Sequence, residues 1–291
     1  MKEIFQADQR GGAARTDRTR YLGATAALAL AEPAFDAYRK VPLIEPLAKQ
    51  LKLKKAKMEE VLKAYAVATE YGVADVTTAA TFHIASLYQD FGKAMLSSQR
   101  PKKLSKAELE QYNVMLEEQA FPFEEKAIEL HEANAHRAAL GIYDTWVQRS
   151  FKALSELRPV RYGKTERSEG TLPSPLPDAI AQLERTVQAN PASTASLNQL
   201  GIAYRQQGQF AKAREVYERA IAIAPTYAAP YLNLGILHDL YLGDGKRALE
   251  LYGQYLALSP SGDAAVTKWV ADLKNRKPQQ QAMLSAKEQP R

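Results

Sequence analysis

Leu197-Asn-Gln-Leu-Gly201, followed by Tyr204, Ala213, Tyr217, Ala220 and Pro225, is the stretch whose reading decides the fold. Its pattern returns as Tyr231-Leu-Asn-Leu-Gly235, His238, Ala248, Tyr252 and Pro260, with Gly235 34 residues after Gly201. Leu197, Leu200 and Tyr204 share one face of a helix, because spacings of three and four match its turn. Leu234 repeats the place of Leu200. Gly201 and Gly235 carry no Cβ, so a second helix can come close there. Ala213, Tyr217 and Ala220 continue the seam on that second helix. Gly208 breaks the first helix and Pro225 stops the second, since proline has no N–H for the helical ladder. The second copy is one residue longer, at Leu242-Gly-Asp-Gly245, a length a turn absorbs. Packing explains each of these positions without a chemical role.

The pattern extends on both sides. Ala179, Leu183, Thr186 and Pro191 form a half-copy opened by Asp178, its first helix replaced by Thr171-Leu-Pro-Ser-Pro-Leu-Pro177. After Pro260, the run Ala264 to Lys277 reads as a closing helix, with Ala265, Trp269 and Leu273 on one face to cover the last seam. Residues 278–291 are polar and unpatterned, and disorder is expected there.

The order large apolar, Leu-Gly, aromatic, Ala, aromatic, Pro resembles the tetratricopeptide (TPR) superfamily over residues 179–260. The resemblance implies an all-α, right-handed α-solenoid of helical hairpins, a groove lined by the first helices, and a protein or peptide ligand. At the groove positions stand Asn198, Gln199, Ile202 and Arg205 from the first copy, and Leu232, Asn233, Ile236 and Asp239 from the second. Some TPR co-chaperones clamp a terminal carboxylate with a lysine and two asparagines. Here Asn198 and Ile202 occupy two of those places and only Asn233 matches, so that clamp is not expected. A mixed amide and apolar groove suits an extended or helical peptide.

The rest of the 291 residues also follows a helical period, and no run alternates as a strand. Six helices are expected before residue 160: 13–41, 46–70, 75–96, a fourth opened by the capping box Ser105-Lys-Ala-Glu108 and stopped at Phe121-Pro122, 123–140, and a sixth bearing Trp146, Val147, Phe151, Leu154 and Leu157. The domain reading is a divergent TPR-like region at 13–160, a hinge at 161–177 rich in Gly, Ser, Thr and Pro, and a TPR domain at 178–277. Tyr21 to Ala31 is apolar behind three arginines, like a signal peptide, but Phe35 and Tyr38 continue it at helical spacing. A helix kinked at Pro33 explains it. Met1 to Asp8 shows no capping helix, so the N-terminal end is expected to expose a seam open to self-association. The chain reads as a piece of a longer protein.

Chemistry is sparse. There is no cysteine, hence no disulfide and no thiolate. His131 and His136 lack the Glu-x-x-His spacing of a carboxylate-bridged metal site and read as surface or capping histidines. No phosphate loop, serine elbow or zinc motif occurs, so neither an enzyme, a metal nor a cofactor is expected. The net charge is +6, with lysines crowded at 49–63 and eight glutamates between Glu108 and Glu132. These blocks read first as solvated helix faces, and second as surfaces that dock on each other or on partners. Basic stripes with interleaved aromatics are missing, which argues against nucleic acid. No run is long enough to span a membrane.

Residues 80–164 carry a second likeness, in Leu87-Tyr88, Ser98-Gln-Arg-Pro101, Glu108-Leu-Glu-Gln-Tyr112, Leu116 to Ile128 and Gly141-Ile-Tyr-Asp-Thr-Trp-Val147. They resemble C-terminal portions of large bacterial envelope TPR proteins that accompany TolQ/ExbB-type or gliding-motility motors. That likeness implies a periplasmic or envelope assembly, with the cytoplasm as the alternative. The expected function is a non-catalytic scaffold that binds protein segments. A self-associating structural subunit, or the accessory region of a larger enzyme, are the alternatives.

Overall fold

Thirteen α-helices make up this computed structural model, which describes residues 1–170 and 176–276, and no strand occurs among them. The chain divides into two units, Met1–Asn134 with Asp144–Ser150, and Ala135–Tyr143 with the residues from Phe151 on.

The first unit opens with α1 (Lys2–Arg10), which packs on α2 (Asp17–Arg39). This corrects the expectation of an uncovered N-terminal end. Asp8 is buried there, and Arg15 donates to both of its oxygens at 3.1 and 2.7 Å. Thr16 and Thr19 cap α2 reciprocally, each backbone N–H meeting the other's hydroxyl. Ala24, Ala27, Ala31, Phe35 and Tyr38 form its buried stripe, which runs past Pro33. Then come α3 (Leu47–Thr69) and α4 (Ala74–Leu96), with Val61, Tyr65, Leu87 and Phe91 closing the core. Lys54, counted among solvated lysines, is buried instead. Its ammonium donates to the carbonyls of Tyr38 and Val41 at 3.2 and 2.9 Å, satisfying the end of α2.

A second correction concerns α5 (Lys106–His136), one continuous helix where two were expected. Proline at 122 removes one ladder bond and crowds the carbonyl four residues earlier. Both Pro122 and Glu118 are exposed, so the freed carbonyl is not sealed in the core, while Leu116, Ala120 and Ala127 keep an unbroken buried face. Ser105 and Glu108 cap its start as the motif predicts. His131 is fully buried on α5, not a surface histidine. Its Nδ1 lies 3.2 Å from Ser150 Oγ, which also accepts from Asn134 at 3.0 Å. Burial pushes its imidazole down to about 4. No described helix is long and apolar enough to cross a membrane.

After α6 (Thr145–Leu157) and the single turn α7 (Pro159–Tyr162), the second unit stacks its helices in chain order. They are α8 (Leu176–Ala189), α9 (Thr194–Gln206), α10 (Phe210–Ile223), α11 (Ala228–Leu240), α12 (Gly245–Ala257) and α13 (Ala264–Asn275). The α9–α10 and α11–α12 hairpins are the two copies of the pattern. Their turns pass through Gly208 at φ +79° and Gly243 at φ +70°, a region that favours glycine. The extra residue of the second copy lies in the turn between α11 and α12.

What fills the space at the two signature glycines is an aromatic ring. A Cβ at Gly201 would stand 2.4 Å from Tyr217 Cε1, and one at Gly235 would stand 2.7 Å from Tyr252 Cε1. Both rings are fully buried. On α8 the seam uses Ala179, Ile180, Leu183 and Val187, with Thr186 exposed, and on α13 it uses Val266 and Trp269, with Ala265 exposed. The polar tail at 278–291 and Thr171 to Pro175 lie outside the described residues.

Candidate functional site

Gly163 closes α7 with an N–H to the Pro159 carbonyl at 2.8 Å, and residues 164–170, assigned by composition to a hinge, then run without helical hydrogen bonding along the first helices of the second unit. The order of exposure is that of an extended strand. Tyr162 is buried, Gly163 exposed, Lys164 half-buried, Thr165 exposed and Glu166 half-buried. Alternate side chains of an extended chain point to opposite sides, so Lys164 and Glu166 turn the same way. They turn toward Asp239 and Arg205, two of the groove positions named from the sequence.

Asp239, on α11, is the more enclosed of the two. Its carboxylate accepts from the Lys164 ammonium, from Tyr252 Oη at 3.3 Å and from Arg276 at 2.6 Å. Neither the Lys164 nor the Asp239 side chain has solvent exposure. The ammonium also lies 5.2 Å from the Tyr252 ring centroid and 5.4 Å from that of Trp269, within reach of cation–π attraction. Burial lowers the Lys164 pKa, with Asp239 opposing that shift. Tyr252 is raised well above the ordinary phenol range, first by burial and then by Asp239.

Arg205, on α9, holds Glu166 through two nitrogens, one bond measuring 3.0 Å. Tyr217 Oη donates to the same carboxylate at 3.2 Å. Burial works against the Arg205 charge, but Glu166 outweighs it and keeps the guanidinium protonated above its usual range. The rings of Tyr217 and Tyr252 thus back the two signature glycines, and their hydroxyls reach the groove carboxylates.

Between these rungs two asparagines read the backbone. Asn233 Oδ1 accepts from the Arg167 N–H at 2.8 Å, and its Nδ2 donates to the Arg167 carbonyl at 2.8 Å. Asn198 Nδ2 donates to that carbonyl at 2.9 Å, and Asn233 Nδ2 also donates to Asn198 Oδ1 at 2.8 Å. Both side chains are fully buried, and their amides are satisfied by each other, by the N–H and C=O of Arg167 and, for Asn198, by Tyr227 Oη at 3.5 Å. The Arg167 side chain reaches Asp263 at 2.7 Å, a residue that also caps α13.

The structure therefore brings Asn198, Arg205, Asn233 and Asp239 onto one extended segment, and Gln199 joins them opposite Gly170. Ile202, Leu232 and Ile236 are buried and apolar. Reasoning from sequence missed Lys164, Glu166 and Arg167. It also gave Tyr217 and Tyr252 packing roles only, and it left out Arg276. A signal for the first group was present: Tyr162, Lys164 and Glu166 alternate with small or polar residues, and their charges complement Asp239 and Arg205. Among the described residues no group of three His, Cys, Asp or Glu side chains could hold a metal ion.

Comparison with known proteins adds to this geometry. Residues 201–240 match the sequence model of the family described as a TPR repeat. No curated protein matches the chain. Among solved structures, similarity extends to YrrB, described as a TPR protein with an unusual peptide-binding site, at 16% identity over 78% of this chain and 89% of that one, TM-score 0.30. It extends also to MamA from Desulfovibrio magneticus RS-1, at 15% identity over 80% and 97%, TM-score 0.29. A third is the TPR2AB-domain:pHSP90 complex of yeast Sti1, at 12% identity over 94% and 98%, TM-score 0.32. The match and the two hairpins built on Gly201 and Gly235 identify residues 201–240 as tetratricopeptide-repeat sequence.

Proposed function

We propose that the second unit is a non-catalytic protein-interaction module whose groove takes an extended peptide. One observation carries this reading: the Asn198–Asn233 pair is buried, and both asparagines bond the main chain of a single residue in an extended chain, Asn233 its N–H and C=O and Asn198 its C=O. Buried amides facing a backbone read main chain and not side chain, which is what a peptide groove requires. The test is a library of extended ten-residue peptides titrated onto the full chain. Binders should lose at least about tenfold in affinity on Asn233→Ala, the worth of one or two lost buried hydrogen bonds. Binding that survives both Asn233→Ala and Asn198→Ala would overturn the reading.

The likeness of residues 80–164 to envelope motor-associated proteins supports placing this module in an envelope assembly. Fractionation of cells expressing the native gene tests that placement. Recovery wholly with cytosolic markers would remove it.

A further inference from the structure

We infer that the groove recognises the pattern Lys-x-Glu-Arg in an extended chain, and that residues 164–167 hold it as a tethered competitor that a partner carrying the same pattern displaces. This rests on the reading of the groove as a peptide site, and it adds both a sequence preference and a gate.

The preference follows from register. Asn233 grips the N–H and C=O of one residue, Arg167, so the chain cannot slide without losing both bonds. With that residue fixed, the side chain one place earlier meets Arg205 and Tyr217, and the side chain three places earlier meets Asp239 and Tyr252. The first must be an acceptor and the second a cation. Reversing the order would set like charges together in a buried site, which is strongly unfavourable. The side chain of the gripped residue itself meets Asp263 and the Tyr255 ring, at 5.4 Å from the centroid, and so favours arginine.

The gate follows from how the segment is held. From Gly163 to Gly170 no apolar side chain is buried; the groups held are the Lys164 and Glu166 side chains and the N–H and C=O of Arg167. Its hold is polar, and each charge gives up hydration to make it. Its advantage is the tether, because a segment covalently joined to α7 at Tyr162 stays beside the groove, and such tethering gives an effective concentration on the order of millimolar. A partner of the same chemistry meets the same contacts without that head start. Affinity for an outside peptide is then reduced by the fraction of time the groove stands open.

The experiment uses the decapeptide of residues 161–170, fluorescein-labelled, titrated by anisotropy onto the full chain and onto a Lys164→Ser/Glu166→Ser variant. The variant should bind roughly 10–100-fold more tightly than the wild type, the range for a site closed 90–99% of the time. A peptide with its Lys and Glu exchanged should bind the variant at least about tenfold more weakly. Equal affinity of the two proteins would overturn the gate. Equal affinity of the two peptides would overturn the preference. No binding by a folded variant would overturn the underlying groove reading as well. Should the variant fail to fold, hydrogen exchange on the wild type decides. Excess unlabelled decapeptide must speed exchange at the chain's own Arg167 amide, and an unchanged rate overturns the gate.

Discussion

Arg205 and Asp239 hold the same place in consecutive repeats and carry opposite charge. Around them the scaffold is nearly the same: a glycine packed on a tyrosine ring, and a tyrosine hydroxyl aimed at a carboxylate. What differs is where that carboxylate comes from. In the first repeat it is Glu166, brought by the extended segment to a scaffold cation. In the second it belongs to the scaffold, and the segment brings the cation. A repeat architecture thus lets one fold present two opposite preferences side by side, because the signature residues fix the geometry and leave the groove positions free to vary.

The deepest difference between the repeats is enclosure, and breaking it should give the largest effect. Asp239→Asn strands the Lys164 ammonium where its side chain has no solvent exposure. Removing one partner of a buried pair costs about 3–5 kcal/mol when the other stays buried. Here the segment can leave with Lys164, which limits that part of the loss to about 1.3–2.7 kcal/mol for a groove closed about 90–99% of the time. Arg276 loses its ion pair with the same carboxylate as well. Arg205→Gln should cost less, because Tyr217 still donates to Glu166. The chain has two tryptophans, and in a Trp146→Phe background Trp269 alone reports on the second unit. Urea unfolding read from that fluorescence should rank Asp239→Asn below Arg205→Gln, and the reverse order would mean the enclosed pair is not the stronger anchor.

The glycines test whether the two repeats share one mechanical design. Gly201→Leu and Gly235→Leu each drive a side chain into a buried tyrosine ring. Overpacking of this kind costs roughly 1–3 kcal/mol or more. Gly201 should be the more sensitive, since its Cβ would lie 2.4 Å from the ring against 2.7 Å. An unchanged urea midpoint for either variant would show that the tyrosine swings away, and would refute the register.

How much of this was legible depends on what kind of pattern each residue belongs to. Leu200, Gly201, Tyr204, Ala213 and Tyr217 announce the hairpins because packing repeats with the helix, and a repeat unit stacks only on a like neighbour. The groove positions followed from that register, and five of the eight meet the extended segment. The segment itself was hidden. Lys164 and Glu166 lie beside a stretch with three prolines, and composition spoke for a linker before period-two alternation could speak for a strand. Pro122 misled for a related reason: a proline signals a break by its own chemistry, while the stripe Leu116, Ala120, Ala127 shows that the buried face does not stop. Lys54 and His131 were read by residue type alone. Both are buried because a carbonyl or hydroxyl from another helix is there to satisfy them, a fact of tertiary structure.

Asn198 and Asn233 sharpen the comparison further, because the second repeat supplies the two-handed grip. Asn233→Ala leaves both the Arg167 N–H and one bond to its carbonyl unmade, whereas Asn198→Ala removes one of two donors to that carbonyl. An unsatisfied buried group costs about 1–3 kcal/mol and a single redundant bond about 0.5–1.5 kcal/mol. Asn233→Ala should therefore be the costlier change by urea midpoint. Amide exchange gives the finer check. The Arg167 amide should lose protection in Asn233→Ala and keep most of it in Asn198→Ala, and equal loss in both would assign the grip to the pair as a unit.

The smallest expected effect concerns a signature position where the repeats carry aromatic rings of different chemistry, Tyr204 against His238. Tyr204 donates its hydroxyl to Glu184 at 2.5 Å, while neither ring nitrogen of His238 is hydrogen-bonded and Asp244 stands 3.7 Å from Nδ1. Burial lowers the His238 pKa, with Asp244 the leading opposing charge. A base depressed in the folded state binds fewer protons there than when unfolded. Stability is then complete above the unfolded value of about 6.5 and falls as pH drops through the window below it. His131 contributes in the same direction, down to about 4. Glu218 occupies, 34 residues on, the place of Glu184, and it already acts on His238 electrostatically. His238→Tyr should give the second repeat the hydroxyl–carboxylate bond of the first, and flatten the fall in urea midpoint between pH 7 and 5 without abolishing it, because His131 remains. A slope identical to the wild type would show that His238 titrates alike in both states, and that this position does not separate the two repeats.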